Sequence, residues 1–215
     1  MLILNISKSI LNIAGGKIGP IEHHYKDLYN DARFLVNLDS MYLNSTPIHN
    51  IIKDHEIFDE DIRYKRIPLY KNYNYNCNYD IYEFLEKYHI KFDGITMYRF
   101  LEHVPKVKIL YFIYLLSTII KIGGMVDVIV PDYKALAKRI LEENVKDPNF
   151  EAQDIITTFE LLNEDYSPHC SIWTTDRIVH FFELEGRFQI KTLTENYKFD
   201  GRDIYIRFLA QRIEG

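Results

Sequence analysis

Short runs of strand-forming residues alternate with helical stretches along most of this chain, and that alternation constrains its fold more than any other feature. Residues 9–13, 34–38, 92–97 and 125–130 read as strands. Residues 80–88, 106–121, 133–143, 151–163 and 176–185 carry helical patterns between and after them. Strands separated by helices build βαβ units, and βαβ units build a mainly parallel sheet. Two late strands, 188–193 and 204–209, have too short a connection for a crossover. They predict an antiparallel hairpin at the end of the sheet.

Several boundaries have a physical basis. Asp80 precedes the apolar-periodic Ile81, Phe84, Leu85 and Tyr88, so it is placed as an N-cap. Thr174 or Thr175 can cap the helix near Asp176, and Gly186 sits where a left-handed residue closes a helix. Gly123-Gly124 is expected to end the 106–121 helix and turn the chain into the next strand. On that helix the stripe Leu110, Ile113, Tyr114, Ser117 and Ile120 is expected to face the core. The stretch Tyr70 to Tyr79 alternates Tyr73, Tyr75 and Cys77 with asparagines, which fits an extended ribbon or a long surface loop.

With 215 residues and no Gly/Ser/Pro linker, the chain reads as a single domain, 1–215. Its 47% hydrophobic content supports a large core and excludes a disordered chain. A net charge of −5 argues against a nucleic-acid partner, which would need a basic footprint. Cys77 and Cys170 are too few for a disulfide scaffold and form no CxxC pair, so the expected setting is a reducing one, the cytoplasm. The longest apolar run, 109–120, falls short of the roughly 18–20 residues a membrane span needs, so no membrane association is expected. The first six residues are apolar but lack the basic start of a secretory signal.

The first chemical signal is the turn after strand 9–13, Ala14-Gly15-Gly16, followed by a second strand running into Asp39. Glycine lets backbone approach a ligand closely. A carboxylate at the end of the next strand can accept hydrogen bonds from both hydroxyls of a ribose. Together they form the nucleoside-binding half of a Rossmann-like sheet, with ligand beyond the carboxyl ends of the strands. The fold class is therefore α/β, a Rossmann-like three-layer sandwich whose mainly parallel sheet ends in an antiparallel hairpin. A dinucleotide fingerprint is nearly matched by Ala14, Gly16 and Gly19, but Ala14 replaces its first glycine and Pro20 opens a poor helix.

A second constellation decides the class of ligand. Phe92-Asp93-Gly94-Ile95 leads into Leu101-Glu102-His103-Val104, then a long helix, Lys121-Ile122-Gly123-Gly124, and Val130-Pro131-Asp132. This order resembles the class I S-adenosylmethionine (SAM)-dependent methyltransferases, in particular their ubiquinone-methyltransferase-like branch. Leu11-Asn12-Ile13, Gly16 and Asn37-Leu38-Asp39 resemble that family's first motif. His169 to Thr174, leading to the Asp176 helix, resembles its late segment. The resemblance covers nearly the whole chain. It departs from the family where Asn12 and Ala14 replace a commoner acidic residue and glycine.

The resemblance implies SAM as cofactor. Asn12, Ala14, Gly15 and Gly16 would lie against its methionine part, and Asp39 would hold the ribose diol. Ser40 and Met41 would flank the adenine, and Asp80 or Asp61 would read its amino group. Tyr98, Arg99 and Phe100 would line the reactive end, with Glu102 and His103 near the acceptor. The segment 147–174 would sit over the active side, bringing His169, Trp173 and Phe159 near the acceptor pocket.

A sulfonium methyl is already activated, so the protein need mainly hold the nucleophile in line, worth roughly 7–11 kcal/mol. A hydroxyl acceptor also needs a base, and His103 and His169 are the candidates. Glu102 could equally bond backbone after the fourth strand. A Glu/His/Asp set around Glu102 and His103 could bind a divalent ion, but no metal is expected. There is no G-x-S-x-G elbow, P-loop or H-E-x-x-H motif. The expected activity is methyl transfer to a small-molecule or glycan acceptor; the alternative is the same fold kept for binding without turnover.

Overall fold

The structure is a computed structural model, and it describes residues 8–13, 32–38, 46–63, 73–77, 79–142, 169–199 and 202–214. The chain divides into two compact units, Met1–Met97 with Leu115–Val126, and Tyr98–Tyr114 with Asp127–Gly215.

In the first unit, β1 (Lys8–Ile13) is buried from Ser9 through Ile13, as expected of a strand covered on both faces. It pairs in parallel with β2 (Ala32–Leu38) on one side and with β4 (Phe92–Tyr98) on the other. β3 (Tyr73–Cys77) lies parallel to β2 on its far side. The alternating Tyr/Asn stretch is thus an extended strand. Its aromatic side works structurally: the Tyr75 ring lies 5.4 Å from Phe34, its hydroxyl donates to Asp54, and Cys77 is buried. Burial pushes the Cys77 thiol up to about 11, so it stays protonated and inert.

The sequence reading missed α1 (Ile48–Arg63). Pro47 stands just before it, and its carbonyl accepts the first helical N–H groups, from Asn50 and Ile51. Ile51, His55 and Phe58 recur at helical spacing on its buried side, and His55 and Phe58 pack on Phe34. α2 (Ile81–Lys87) starts as expected, with Asp80 Oδ1 accepting from the Glu83 N–H at 2.9 Å.

α3 (Ile109–Ile119) follows two short 3₁₀ turns, Leu101–His103 and Lys106–Lys108, and is shorter than expected. β5 (Ile120–Pro131) begins immediately after it. The glycine pair therefore does not separate helix from strand but lies within the strand. The β-branched Ile119, Ile120 and Ile122 favour extended backbone, and Lys121 is anchored 3.3 Å from Asp93. Gly123 adopts φ +81°, and a side chain at Gly124 would come within 2.9 Å of the Asp93 carbonyl. The apolar stripe on α3 is also rotated from the expected one. Ile113, Ser117 and Ile120 are buried, but Leu110 and Tyr114 are exposed, and Phe112, Leu116 and Ile119 take the remaining core positions.

In the second unit, α4 (Tyr133–Glu142) and α5 (Thr175–Glu185) precede the hairpin of β6 (Phe188–Phe199) and β7 (Arg202–Arg212). The hairpin is antiparallel and far longer than expected, because most of the presumed connection is strand. Phe199 pairs with Arg202, and Asp200 and Gly201 lie outside the described residues. Asn196, at φ +50°, sits where the register shifts. Thr174 caps α5 by accepting from Arg177, and Gly186 closes it at φ +82°. The expected helix 151–163 lies outside the described residues.

Among the described residues seven strands run β3-β2-β1-β4-β5-β7-β6, parallel through the pairs of β1 with a terminal antiparallel pair. This is the expected mainly parallel, Rossmann-like α/β arrangement. No helix among the described residues is long and apolar enough to cross a membrane.

Candidate functional site

In the first unit the order β3-β2-β1-β4 means that the chain moves outward from β1, then returns to its other side. Such a reversal opens a crevice at the carboxyl ends of the strands. β1 and β2 end in register, Asn12 beside Asn37 and Ile13 beside Leu38. The parallel pairing puts the carboxyl ends of β1 and β2 at the same end of the sheet. Ala14, Gly15, Gly16, Asp39, Ser40 and Met41 themselves lie outside the described residues.

Just inside those strand ends runs a buried polar ladder. Thr96 Oγ1 donates to Asn12 Oδ1 at 2.9 Å, and Asn12 Nδ2 donates to Asn37 Oδ1 at 3.2 Å. All three residues are at most 1% exposed. Asn12 thus directs both ends of its amide along the sheet to its strand neighbours. Of the two candidates for the adenine amino group, Asp80 is exposed and gives one oxygen to the α2 cap. Asp61 is on α1, and its side chain is outside the described set.

In the second unit the residues after β4 form a tight cluster. Tyr98 is buried, and its hydroxyl donates to Asp127 Oδ2 at 2.7 Å. Arg207 completes that group with a two-pronged bond to Asp127, Nε to Oδ1 at 3.0 Å and Nη2 to Oδ2 at 2.8 Å. Arg99 is exposed and held at φ +56°, with its N–H on the Ile129 carbonyl at 2.8 Å. A left-handed arginine at a strand's carboxyl end is strain of the kind that collects at functional sites. Phe100 packs on Phe112, ring centroids 5.7 Å apart.

The 3₁₀ turn Leu101–His103 then brings Glu102 fully into the interior. The Glu102 carbonyl accepts the N–H groups of Cys170 and Ser171 at 2.8 and 3.0 Å. Ser171 Oγ donates back to the Leu101 carbonyl at 3.1 Å, and Trp173 Nε1 donates to Ser171 Oγ at 2.9 Å. Trp173 is fully buried, and Phe159 lies outside the described residues. The segment 169–174 is therefore strapped to the turn by backbone and hydroxyl bonds. It sets His169 against His103, ring centroids 4.9 Å apart and nearly perpendicular. Tyr133, the first residue of α4, places its hydroxyl 2.6 Å from His169 Nδ1.

The electrostatics follow from burial. Neither Glu102 carboxyl oxygen has a hydrogen-bond partner among the described side chains. Burial raises its pKa to about 8 against the opposing effects of its own backbone N–H and then Arg99, so the group is mainly neutral at pH 7. Burial first, then His103 and Arg99, lower that of His169 to about 4, so its imidazole is also neutral. Burial, with nearby Glu102, pushes the Tyr133 phenol up, keeping its proton on. Glu102, His103 and His169 present one ligand-type atom each within 4.8 Å of one another, a spacing that could enclose a divalent ion.

The turn therefore unites the three acid–base candidates, Glu102, His103 and His169. The sequence reading missed Tyr133 and Ser171. Neither carries a local signal, because each acts on a residue 36 to 70 positions away.

No protein-family profile and no curated protein matches the sequence. Solved structures do match its fold. The mitomycin 7-O-methyltransferase MmcR is 10% identical, with a TM-score of 0.52 over 96% of this chain and 49% of MmcR. The N-methyltransferase NodS of Bradyrhizobium japonicum WM9 is 12% identical, with a TM-score of 0.53 over 97% of this chain and 88% of NodS. DhpI, solved in complex with SAM and HEP, is 13% identical, with a TM-score of 0.53 over 98% of this chain and 81% of DhpI. This chain spans about half the length of MmcR. At these identities the likeness shows the fold: the chain has the Rossmann-like architecture found in methyltransferases.

Proposed function

We propose that the chain is a SAM-dependent methyltransferase of the ubiquinone-methyltransferase-like branch, acting on a small-molecule or glycan acceptor in a reducing, cytoplasmic setting. One observation carries this reading: β1 and β2 end parallel and in register at a sheet reversal, and Gly15-Gly16 and Asp39 are the residues that follow those ends in the sequence. The bare turn admits the methionine part of the cofactor along Asn12, Ala14, Gly15 and Gly16. Asp39 accepts the ribose diol, Ser40 and Met41 flank the adenine, and Asp80 or Asp61 takes its amino group. The motif resemblance assigns Tyr98, Arg99 and Phe100 to the reactive end of the cofactor. The SAM held by DhpI and the small-molecule chemistry named for MmcR support the same choice.

The cofactor supplies an electrophilic methyl on a sulfonium. With that group bound, a histidine would take the proton of an acceptor hydroxyl held in line with the methyl. His103 is better suited to that step than His169, whose buried ring is a weak base. The neutral Glu102 can donate a hydrogen bond and keeps a carboxylate from competing for the proton.

Saturation with SAM or its demethylated product tests the reading. At about 100 times the dissociation constant, the ligand stabilises the fold by about 2.7 kcal/mol, or roughly 5–11 °C for a chain of this size. Gly16→Val and Asp39→Ala should fold and show no ligand-dependent shift. A wild-type melting curve unmoved by millimolar ligand would overturn the proposal. It would favour the second reading, a fold kept for binding without turnover. That reading draws on Asn12, which stands in the acidic position of the family motif and spends its amide on Asn37 and Thr96.

A further inference from the structure

The geometry points to Tyr133 as a positioning residue that locks His169 in the tautomer with its proton on Nε2, so that His169 donates a hydrogen bond and proton acceptance falls to His103. The inference deepens the proposed methyl-transfer reading and rests on it for its catalytic meaning.

The argument starts from the inventory of donors. A neutral imidazole has one N–H and one bare nitrogen, and the partner of one nitrogen decides the character of the other. The Tyr133 hydroxyl lies 2.6 Å from His169 Nδ1. That is short for a ring N–H donating to oxygen, whose usual distance is about 2.9 Å. It suits a hydroxyl donating to a bare nitrogen. The phenol also keeps its proton, because burial and the neighbouring Glu102 both resist its ionisation. Nδ1 is then the acceptor, and Nε2 must carry the hydrogen.

Both partners are held where the bond needs them. Tyr133 opens α4, with its own N–H on the Trp173 carbonyl at 3.2 Å and Asp132 Oδ1 capping the next two amides. His169 is 5% exposed, and the adjoining Cys170 and Ser171 amides are fixed to the Glu102 carbonyl. The ring of His103 meets that of His169 edge to face. His103 is half-buried where His169 is buried, and so it is the histidine more open to an acceptor.

Nitrogen-15 spectra of the full-length labelled protein, with His169 assigned by ring-to-backbone correlation, test this without any acceptor substrate. Near pH 7 the wild type should show a pyridine-like Nδ1 and a pyrrole-like Nε2 at His169. Tyr133→Phe should lose that pattern, giving averaged nitrogens or the Nδ1–H form. A pyrrole-like Nδ1 in the wild type, or an unchanged pattern in Tyr133→Phe, would overturn the assignment. Should the variant not fold, the wild-type spectrum alone decides. Titration with S-adenosylhomocysteine in the same samples separates the two ideas: absent binding refutes the methyltransferase reading and leaves the tautomer result standing.

Discussion

Two fully buried carboxyl groups in the second unit have opposite fates. Asp127 is saturated: Arg207 grips both of its oxygens, and the Tyr98 hydroxyl adds a third bond. Glu102, equally buried, has no side-chain partner for either oxygen among the described residues and avoids the cost by keeping its proton. Burial alone therefore says little about a carboxyl. The partners decide whether it becomes a structural rivet or a group with unspent chemistry. Arg207 itself is held more firmly protonated than usual, chiefly by its bond to Asp127.

The sharpest way to break the comparison is to orphan the rivet. Arg207→Met leaves Asp127 buried without a counter-charge, a change that costs about 3–5 kcal/mol. The midpoint of thermal unfolding should fall by roughly 6–20 °C for a chain of this size. A loss below about 1 kcal/mol would mean that the pair is no stronger than an exposed one.

The converse change, Glu102→Gln, should act through pH. Glu102 has a folded value of about 8 against an ordinary 4.5, so between them the native state holds a proton that the unfolded chain has released. Stability from this source falls as pH rises, by up to about 1.4 kcal/mol per unit. His169 works the other way: with a folded value of about 4 against 6.5, it costs stability as pH drops through that range. The two oppose each other below 6.5, so the clean window for Glu102 runs from 6.5 to 8. Urea denaturation there should show the wild type losing about 2 kcal/mol and Glu102→Gln losing almost none. Equal slopes would show that Glu102 is already ionised in the native state.

How much of this was legible beforehand follows the range of each interaction. The alternation of runs gave the β1, β2, β4 and β5 strands, and Asp80, Thr174 and Gly186 marked helix ends through bonds spanning three or four residues. Leu101-Glu102-His103-Val104 marked the cluster. The edge strand β3 was ambiguous because its alternating Tyr and Asn suit a ribbon or a loop equally until Phe34 and Asp54 supply a surface. α1 hid behind a polar composition despite Pro47. Gly123-Gly124 misled because a helix stop and a kink within a strand demand the same backbone freedom. Asp127 to Arg207 and Ser171 to Leu101 reach across 80 and 70 positions, and no local pattern encodes such pairings.

The polar ladder of the first unit extends the comparison to neutral groups. Thr96→Val keeps the shape and removes the donor to Asn12 Oδ1, leaving a buried carbonyl oxygen unsatisfied. The expected cost is about 1–3 kcal/mol by urea denaturation, below that of the orphaned Asp127. Should Asn12 instead turn its amide toward the strand ends, cofactor affinity would change with little loss of stability, and calorimetry with S-adenosylhomocysteine would show it.

The smallest effect belongs at a helix end. Thr174 accepts from the Arg177 N–H at 3.4 Å, a long bond made by a half-buried hydroxyl. Its amide partner can turn to water when the hydroxyl is gone, which the buried oxygens of Asp127 and Asn12 cannot do. Thr174→Ala should therefore cost about 0.5–1 kcal/mol, the lower part of the range for caps. Thr174→Asp should recover it, because a carboxylate also meets the positive end of α5. A larger loss in Thr174→Ala would mean that the cap restrains the 169–174 segment as well as α5. In that case the same variant should shift the His169 ring resonances, linking the helix cap to the histidine pair through the Trp173 carbonyl on Tyr133.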